Sequence, residues 1–178
     1  MSERFEVEVK AACPNSAAFK DALEARGLRQ TELFTQKDVY FNHPGRDFAA
    51  TDEALRLREC KGIVHLTYKG PKVSLQTKAR VEYETELGDF AAAEAILLAL
   101  GFVRTGSVCK ERATYPLPDG EICIDQVSGL GCFVEIEKIG GDLERLESDV
   151  LALAAELGVA DALERRSYIE MLLAKAAT

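Results

Sequence analysis

Apolar and charged residues alternate strictly along Phe5-Glu6-Val7-Glu8-Val9-Lys10, within a stretch from Arg4 to Ala11. Aromatic and β-branched residues at a period of two predict a strand. Such a strand puts Glu6, Glu8 and Lys10 on one face and Phe5, Val7 and Val9 on the other. The same alternation returns along the chain. Phe34 to Phe41 reads as a strand, and so does Glu53 to Cys60, with Leu55 and Leu57 opposite Arg56 and Arg58. Ile63 to Lys69 follows, then Lys78 to Leu87, with Lys78, Arg80, Glu82, Glu84 and Glu86 opposite Ala79, Val81 and Tyr83. Val103 to Tyr115 carries Lys110 and Arg112 two apart. Glu121 to Val127 sets Ile122 and Ile124 against Asp125, and Phe133 to Lys138 sets Val134 and Ile136 against Glu135 and Glu137.

Between these strands the period changes to that of a helix. Pro14-Asn15-Ser16 opens a helix to Arg26, with Phe19, Ala22 and Leu23 on its apolar side and Gly27 as its stop. Asp89 is an N-cap for a helix with Phe90, Ala93, Ile96, Leu97 and Leu100 along one side, stopped by Gly101. Leu143, Leu146, Val150, Leu153 and Leu157 mark a third helix, and Ser167-Tyr168-Ile169-Glu170 is a capping box that starts a fourth. Asn42 to Asp47, Lys61-Gly62, Pro118-Asp119-Gly120 and Gly129-Leu130-Gly131 read as turns, and Gly70 to Thr77 as a polar loop. A faint repeat joins the two halves. Glu6-x-Glu8, a helix, Gly27-Leu28 and a strand with Tyr40 parallel Glu82-x-Glu84, a helix, Gly101-Phe102 and a strand with Tyr115.

For any single strand, a charged face is ordinary if water covers it. The set argues otherwise. Its charges come in like-signed pairs at i, i+2: Glu6/Glu8, Arg56/Arg58, Lys110/Arg112 and Glu135/Glu137. Like charges repel, so each pair needs a partner. Many strands and few helices also leave edges, which closure into a barrel removes. The expected fold is therefore α+β: an eight-stranded antiparallel β-barrel with helices packed on the outside, as one domain over residues 1–178. With the charged faces inward, the lumen would hold the cations Lys10, Arg56, Arg58, Lys69, Lys78, Arg80, Lys110 and Arg112, and the carboxylates Glu6, Glu8, Glu82, Glu84, Asp125, Glu135 and Glu137. Unpaired charge is too costly to bury without a ligand. Cations suited to phosphate beside carboxylates suited to Mg2+ or Mn2+ describe a site for a metal-chelated polyphosphate.

Composition narrows the partners. The net charge of -8 over 178 residues disfavours non-specific binding to nucleic acid or a membrane surface. The five cysteines form no CxxC and no disulfide framework, so reduced thiols and a cytoplasmic location are expected. No charged-then-apolar leader precedes the first strand. The longest apolar run, Phe90 to Leu100, is too short and too interrupted to span a bilayer. His43 lies in a turn and reads as a surface residue. His65 shares parity with Lys69, and Cys60, Cys123 and Cys132 read as packing residues. Tyr168 could pack over an end of the barrel or cap the core.

Glu6-x-Glu8-x-Lys10 resembles the ExExK signature of the CYTH superfamily, the triphosphate tunnel metalloenzymes. The likeness continues in order through Gln36-Lys37-Asp38-Val39-Tyr40-Phe41, Thr51 to Arg58, Leu66 to Pro71, Lys78-x-Arg80-x-Glu82-x-Glu84, Lys110-x-Arg112 and Ile124 to Glu137. These segments are similar to the class IV adenylate cyclase branch. The resemblance implies an eight-stranded antiparallel tunnel. Lys10, Arg56, Arg58, Lys69, Lys78, Arg80, Lys110 and Arg112 would hold a triphosphate. Glu6, Glu8, Glu82, Glu84, Asp125, Glu135 and Glu137 would divide between metal coordination and orienting the basic residues, with Glu6, Glu8, Glu135 and Glu137 nearest the metal. Lys10, Arg58, Lys78 and Asp125 are the residues it implies at the reacting groups.

The resemblance also implies Mg2+ or Mn2+, as a pair of ions, and a small-molecule triphosphate, ATP or inorganic triphosphate. A homodimer is compatible with the sequence. The leading expectation is a cyclase that makes cyclic AMP and pyrophosphate from ATP. A triphosphatase acting on inorganic, thiamine or nucleoside triphosphate is the alternative, and a non-catalytic polyphosphate- or nucleotide-binding module is the third. No histidine is placed by the sequence as a base, so a metal-lowered nucleophile assisted by a carboxylate is expected.

Overall fold

The computed structural model describes residues 5–72, 77 and 79–177. Its strands are β1 (Phe5–Ala12), β2 (Glu32–Asn42), β3 (Ala54–Cys60), β4 (Ile63–Lys69), β5 (Glu82–Leu87), β6 (Val103–Leu117), β7 (Gly120–Val127) and β8 (Gly131–Gly140). The helices are α1 (Ser16–Ala25), α2 (Phe90–Ala99), α3 (Leu143–Glu156) and α4 (Tyr168–Ala176), with a short 3-10 turn at Ala160–Ala162. All pairings are antiparallel, in one eight-stranded sheet of order β1-β8-β7-β6-β2-β3-β4-β5. Exchanging β1–β4 with β5–β8 simply inverts that order. The faint sequence repeat thus has a topological counterpart, two β-α-β-β-β halves related by a pseudo-twofold.

The sheet curls until its two edges meet. A single bridge, Glu6 to Arg80, joins β1 to the segment entering β5. Strand β5 is shorter than the alternation suggested, because Arg80 pairs with β1 and regular pairing with β4 begins only at Glu82. Lys78, at the expected start of that strand, lies outside the described residues.

Apolar faces point outward and are covered by helices. Val7, Val9 and Ala11 of β1 pack with Ile122, Ile124, Val134 and Ile136 under Phe19 and Leu23 of α1 and Leu146, Val150 and Ala154 of α3. Val39, Phe41, Leu55, Leu57 and Val64 pack under Ala93 and Leu97 of α2. Ile96 and Leu100 were expected on that buried side, yet both are exposed. A helix that is apolar all round carries no phase information to choose its face. Val81, just before β5, and Tyr83 on it were expected opposite the charged face and are indeed there, but among the described residues no helix covers them and both are exposed.

Helix α4 departs from the pattern of outer packing. Tyr168 and Ile169 join Val108, Val127 and Phe133 in a third cluster. Those three strand residues share parity with Lys110, Asp125 and Glu135, the inward face. Helix α4 therefore plugs one end of the barrel. Its first turn is fixed by the capping box: the Ser167 side chain accepts from the Glu170 N–H, and the Glu170 carboxylate accepts from the Ser167 N–H.

Candidate active site

The curled sheet encloses a cavity of about 430 Å3, within the range of small-molecule sites. Of the cations expected to face it, Lys10, Arg56, Arg58, Lys69, Arg80, Lys110 and Arg112 all line it. So do Glu6, Glu8, Glu82, Glu84, Glu135 and Glu137. The period-two register places them, since each alternate residue of a strand meets the same face. Asp125 is the exception among the described candidates. It is fully buried and lies beneath the wall instead of lining it.

The basic wall is built by two aspartates. Asp38 of β2 accepts from Arg58 Nε and from a terminal guanidinium nitrogen of Arg58, both at 2.7 Å, in a fork-to-fork pair. Arg56 reaches the same carboxylate at 4.0 Å and donates to Thr67 Oγ1 at 3.2 Å; Thr67 donates onward to Glu84 at 2.6 Å. Burial alone would raise the Asp38 pKa, but the Arg58 hydrogen bonds and charge outweigh it and hold the carboxyl below its ordinary value. Asp125 of β7 accepts from Lys110 Nζ at 2.7 Å, from Arg112 at 2.7 and 2.6 Å, and from the Tyr168 hydroxyl at 2.9 Å. Arg112 also pairs with Glu135.

Lys10 and Lys110 both lie over the Tyr168 ring, at 4.2 and 5.0 Å from its centroid. Lys10 Nζ donates to the carbonyl of Arg166. Burial and the nearby Arg112 charge lower the Lys110 pKa; burial and Arg56 do the same to Lys69. A ligand anion would relieve the crowding of these cations.

The acidic wall has the opposite problem. Glu8 of β1 is the register partner of Glu137 of β8, and Glu137 is the partner of Glu121 of β7. Three carboxylates therefore stand abreast on adjacent strands, where like charges directly opposed destabilise a sheet. Burial, then Glu6, Glu8 and Glu121, raise the Glu137 pKa to about 8. Burial, then the Glu82 charge, raise Glu6 to about 7, with Lys69 and Arg56 opposing. Such a wall is chemically suited to a hard divalent cation. Among the described residues, though, no three acidic, histidine or cysteine side chains already converge as a metal-binding group. Mg2+ commonly takes only one or two protein carboxylates and completes its shell with water and substrate phosphates. An acidic wall facing an anion-binding wall fits that mode better than a closed protein cage.

Asp38, Glu121, Gln36 and Thr67 line or support the cavity without any signal of their own in the sequence that marks them as site residues. Parity could have found Asp38 from Tyr40 and Glu121 from Asp125. Their short-range neighbours gave no like-charged pair to draw attention. His65, by contrast, faces Glu86 at 3.7 Å and does not line the cavity. His43 packs its ring edge-on against Phe102 at 5.2 Å. The cysteines are all free thiols, and Cys123, whose pKa burial drives far up, is unsuited to act as a nucleophile.

Comparison with known proteins places this architecture. The chain is 35% identical over 170 residues to the MJ0240 protein of Methanocaldococcus jannaschii, covering 93% of this chain and 97% of that one. It is 30% identical over 172 residues to the adenylate cyclase CyaB of Aeromonas hydrophila, covering 93% and 87%. The solved structure of PH1819 from Pyrococcus horikoshii superposes with a TM-score of 0.86 at 38% identity, over 96% of this chain and 99% of that one. The CYTH domain family matches residues 4–168. That span runs from the first strand to the tyrosine at the cavity floor, so the match takes in both charged walls, and this chain belongs to the CYTH domain family.

Proposed function

We propose that the chain is a metal-dependent enzyme acting on a triphosphate, and specifically a class IV-type adenylate cyclase that converts ATP to cyclic AMP and pyrophosphate. One observation carries the reading: a basic wall and an acidic wall face one cavity, and each is electrostatically incomplete without the other's ligand. The similarity to a protein named adenylate cyclase supports the choice of reaction.

In this reading Lys10, Arg56, Arg58, Lys69, Arg80, Lys110 and Arg112 bind the triphosphate, arginine forks taking phosphate oxygens and lysines acting as point charges. Lys78 is assigned the same role from sequence alone. Asp38 and Asp125 are positioning residues that hold the cations in fixed rotamers, so charge stabilisation needs little reorganisation. Asp125 thus supports the site from below, too deep to ligate a metal in the cavity. Glu6, Glu8 and Glu137 would hold Mg2+ or Mn2+, with Glu82, Glu84 and Glu135 orienting the basic residues. When bound, the metal would supply a Lewis acid that neutralises phosphate charge. The ribose 3′-oxygen attacks the α-phosphorus and forms the cyclic ester. The bond to the bridging oxygen breaks, and pyrophosphate leaves with that electron pair. The 3′-hydroxyl proton passes to a carboxylate of the acidic wall.

A triphosphatase, in which water attacks the terminal phosphorus, is the second reading. It is favoured by the fact that every paired cation described above serves a triphosphate chain without needing a nucleoside. Product analysis decides between them: cyclic AMP with pyrophosphate supports the cyclase, and orthophosphate without cyclic AMP supports the hydrolase. Tight ATP binding with no metal-dependent turnover would leave only a binding module.

A further inference from the structure

Away from the cavity, the five free thiols are not placed alike. Strand β1 pairs with β8 as far as Ala12 opposite Phe133. One step further the same register sets Cys13 opposite Cys132, and the Cys13 N–H donates to the Cys132 carbonyl at 2.9 Å. Both share parity with the outward residues Ala11 and Val134. In the outer core Cys13 is buried, and the partly buried Cys132 packs with it. Directly opposed residues joined in this way have Cα atoms about 5.5 Å apart, inside the range of about 4.4–6.8 Å that a disulfide spans. Among the described residues, no other cysteine faces a cysteine across a strand pair. Gln36 opposes Cys60, Lys37 opposes Cys109, and Thr114 and Glu135 flank Cys123.

The two sulfurs are also unequal. Cys13 is 4% exposed, whereas Cys132 is only partly buried. Burial raises the Cys132 pKa, while hydrogen bonds from Cys13 and from Ser16, the first residue of α1, and the charge of Lys20 oppose that rise. For Cys13 burial leads and Cys132 adds to it, pushing the thiol up to about 11. Negative charge on the pair is thus favoured on Cys132, with the Cys13 thiol donating to it. The thiolate is the nucleophile. Accessibility and charge therefore both make Cys132 the first sulfur to meet an oxidant and Cys13 the second.

We propose that Cys13 and Cys132 are a redox-sensitive pair that a peroxide converts to a disulfide, stapling β1 to β8. The Cys132 sulfur attacks one peroxide oxygen. The O–O bond breaks, and the other oxygen takes the Cys132 proton and leaves as water. The Cys13 sulfur then attacks the sulfenic sulfur of Cys132. The S–O bond breaks, and that oxygen leaves as a second water with the Cys13 proton. The two thiols lose two electrons, and the peroxide gains them. The staple lies on the seam where Glu8 opposes Glu137 and Lys10 opposes Glu135, so it ties together two strands that face the cavity. It also closes a loop over most of the chain, the case in which a cross-link restricts the unfolded state most.

The test treats wild type with hydrogen peroxide, blocks the remaining thiols with N-ethylmaleimide in denaturant, and maps the peptides by mass spectrometry without reductant. The expected product is a peptide pair joined through Cys13 and Cys132, with Cys60, Cys109 and Cys123 alkylated. Before blocking, the intact mass should be lower by two hydrogens, and dithiothreitol should restore it. The oxidised protein should melt about 5–10 °C above the reduced one, and peroxide should give Cys132→Ser no such rise. In Cys13→Ser, which cannot close the bond, dimedone should label Cys132 as its sulfenic acid. Three results in wild type would each overturn the inference: a linkage through any other cysteine, Cys132 oxidised to sulfinic acid with Cys13 still free, or no reaction at either thiol in the folded protein. These readouts are made on wild type and stand whether or not either variant folds.

Discussion

Asp38 and Asp125 do the same work at two places on the basic wall: each holds two of the cations that face the cavity. Removing one partner of a buried ion pair leaves the other uncompensated, a loss of about 3–5 kcal/mol. Asp125→Asn should therefore lower stability by about 3 kcal/mol, read as a shift in the urea midpoint, and should also abolish ordered triphosphate binding. A variant with wild-type stability would remove Asp125 from this role. The Asp38 pKa gives a pH dependence with a definite sign. Its folded value is depressed below 3.8 by Arg58. The unfolded chain thus takes up the proton first as pH falls, and the pair's contribution is present above that value and lost through the lower folded one. Urea melts at pH 7 and pH 3 should show Asp38→Asn losing less stability on acidification than wild type. Equal losses would contradict the assignment. Glu6→Gln tests the acidic wall. Metal-dependent turnover should fall about tenfold to a hundredfold with the fold intact, on the scale of a lost charge-stabilising group; unchanged turnover would exclude Glu6 from that wall's function.

At the scale of elements, strands were legible where one face is uniformly covered and least legible where it is not. Arg56 and Arg58 on β3, or Glu135 and Glu137 on β8, alternate with residues buried under helices, and their inward direction followed from parity alone. At the β5 edge the same alternation put Val81 and Tyr83 outward, but no helix among the described residues lies over that edge, and Tyr83 stacks instead on Tyr68 with centroids 6.3 Å apart. Helix α4 was legible in its start, because the capping box is local, and only in part in its destination: of the two places open to Tyr168, a barrel end or the core, it takes the barrel end. Nothing within Ser167 to Glu170 announces that Tyr168 will reach Asp125, 43 residues away in sequence. The cap is a handle on this element. Ser167→Ala should cost about 1 kcal/mol in thermal or urea melts and loosen the floor on which Lys10 and Lys110 rest. A neutral substitution would mean that packing of Tyr168 and Ile169 holds α4 without its cap.

At the scale of the whole molecule, the apolar surface that normally fills a barrel is on its outside, in two helix-covered cores. The inside holds the charges. Net charge does not reveal this arrangement: the chain is acidic overall, while eight basic side chains among the described residues line the cavity. What revealed it was the like-signed spacing, which folding alone gives no reason to choose. What stayed hidden was support from a distance. Asp38 beneath Arg58, Glu121 beside Glu137 and Gln36 beside Lys110 are neighbours only after strand pairing sets the register. No helix among the described residues is long and apolar enough to cross a membrane.

On the proposal above, ATP is cyclised in this cavity. Phosphorus NMR of the protein incubated with ATP and Mn2+, followed by the same measurement with inorganic triphosphate, tests it most directly. Cyclic AMP and pyrophosphate should appear in equal amounts from ATP. Orthophosphate and ADP without cyclic AMP would contradict it, and would assign the two walls to hydrolysis instead.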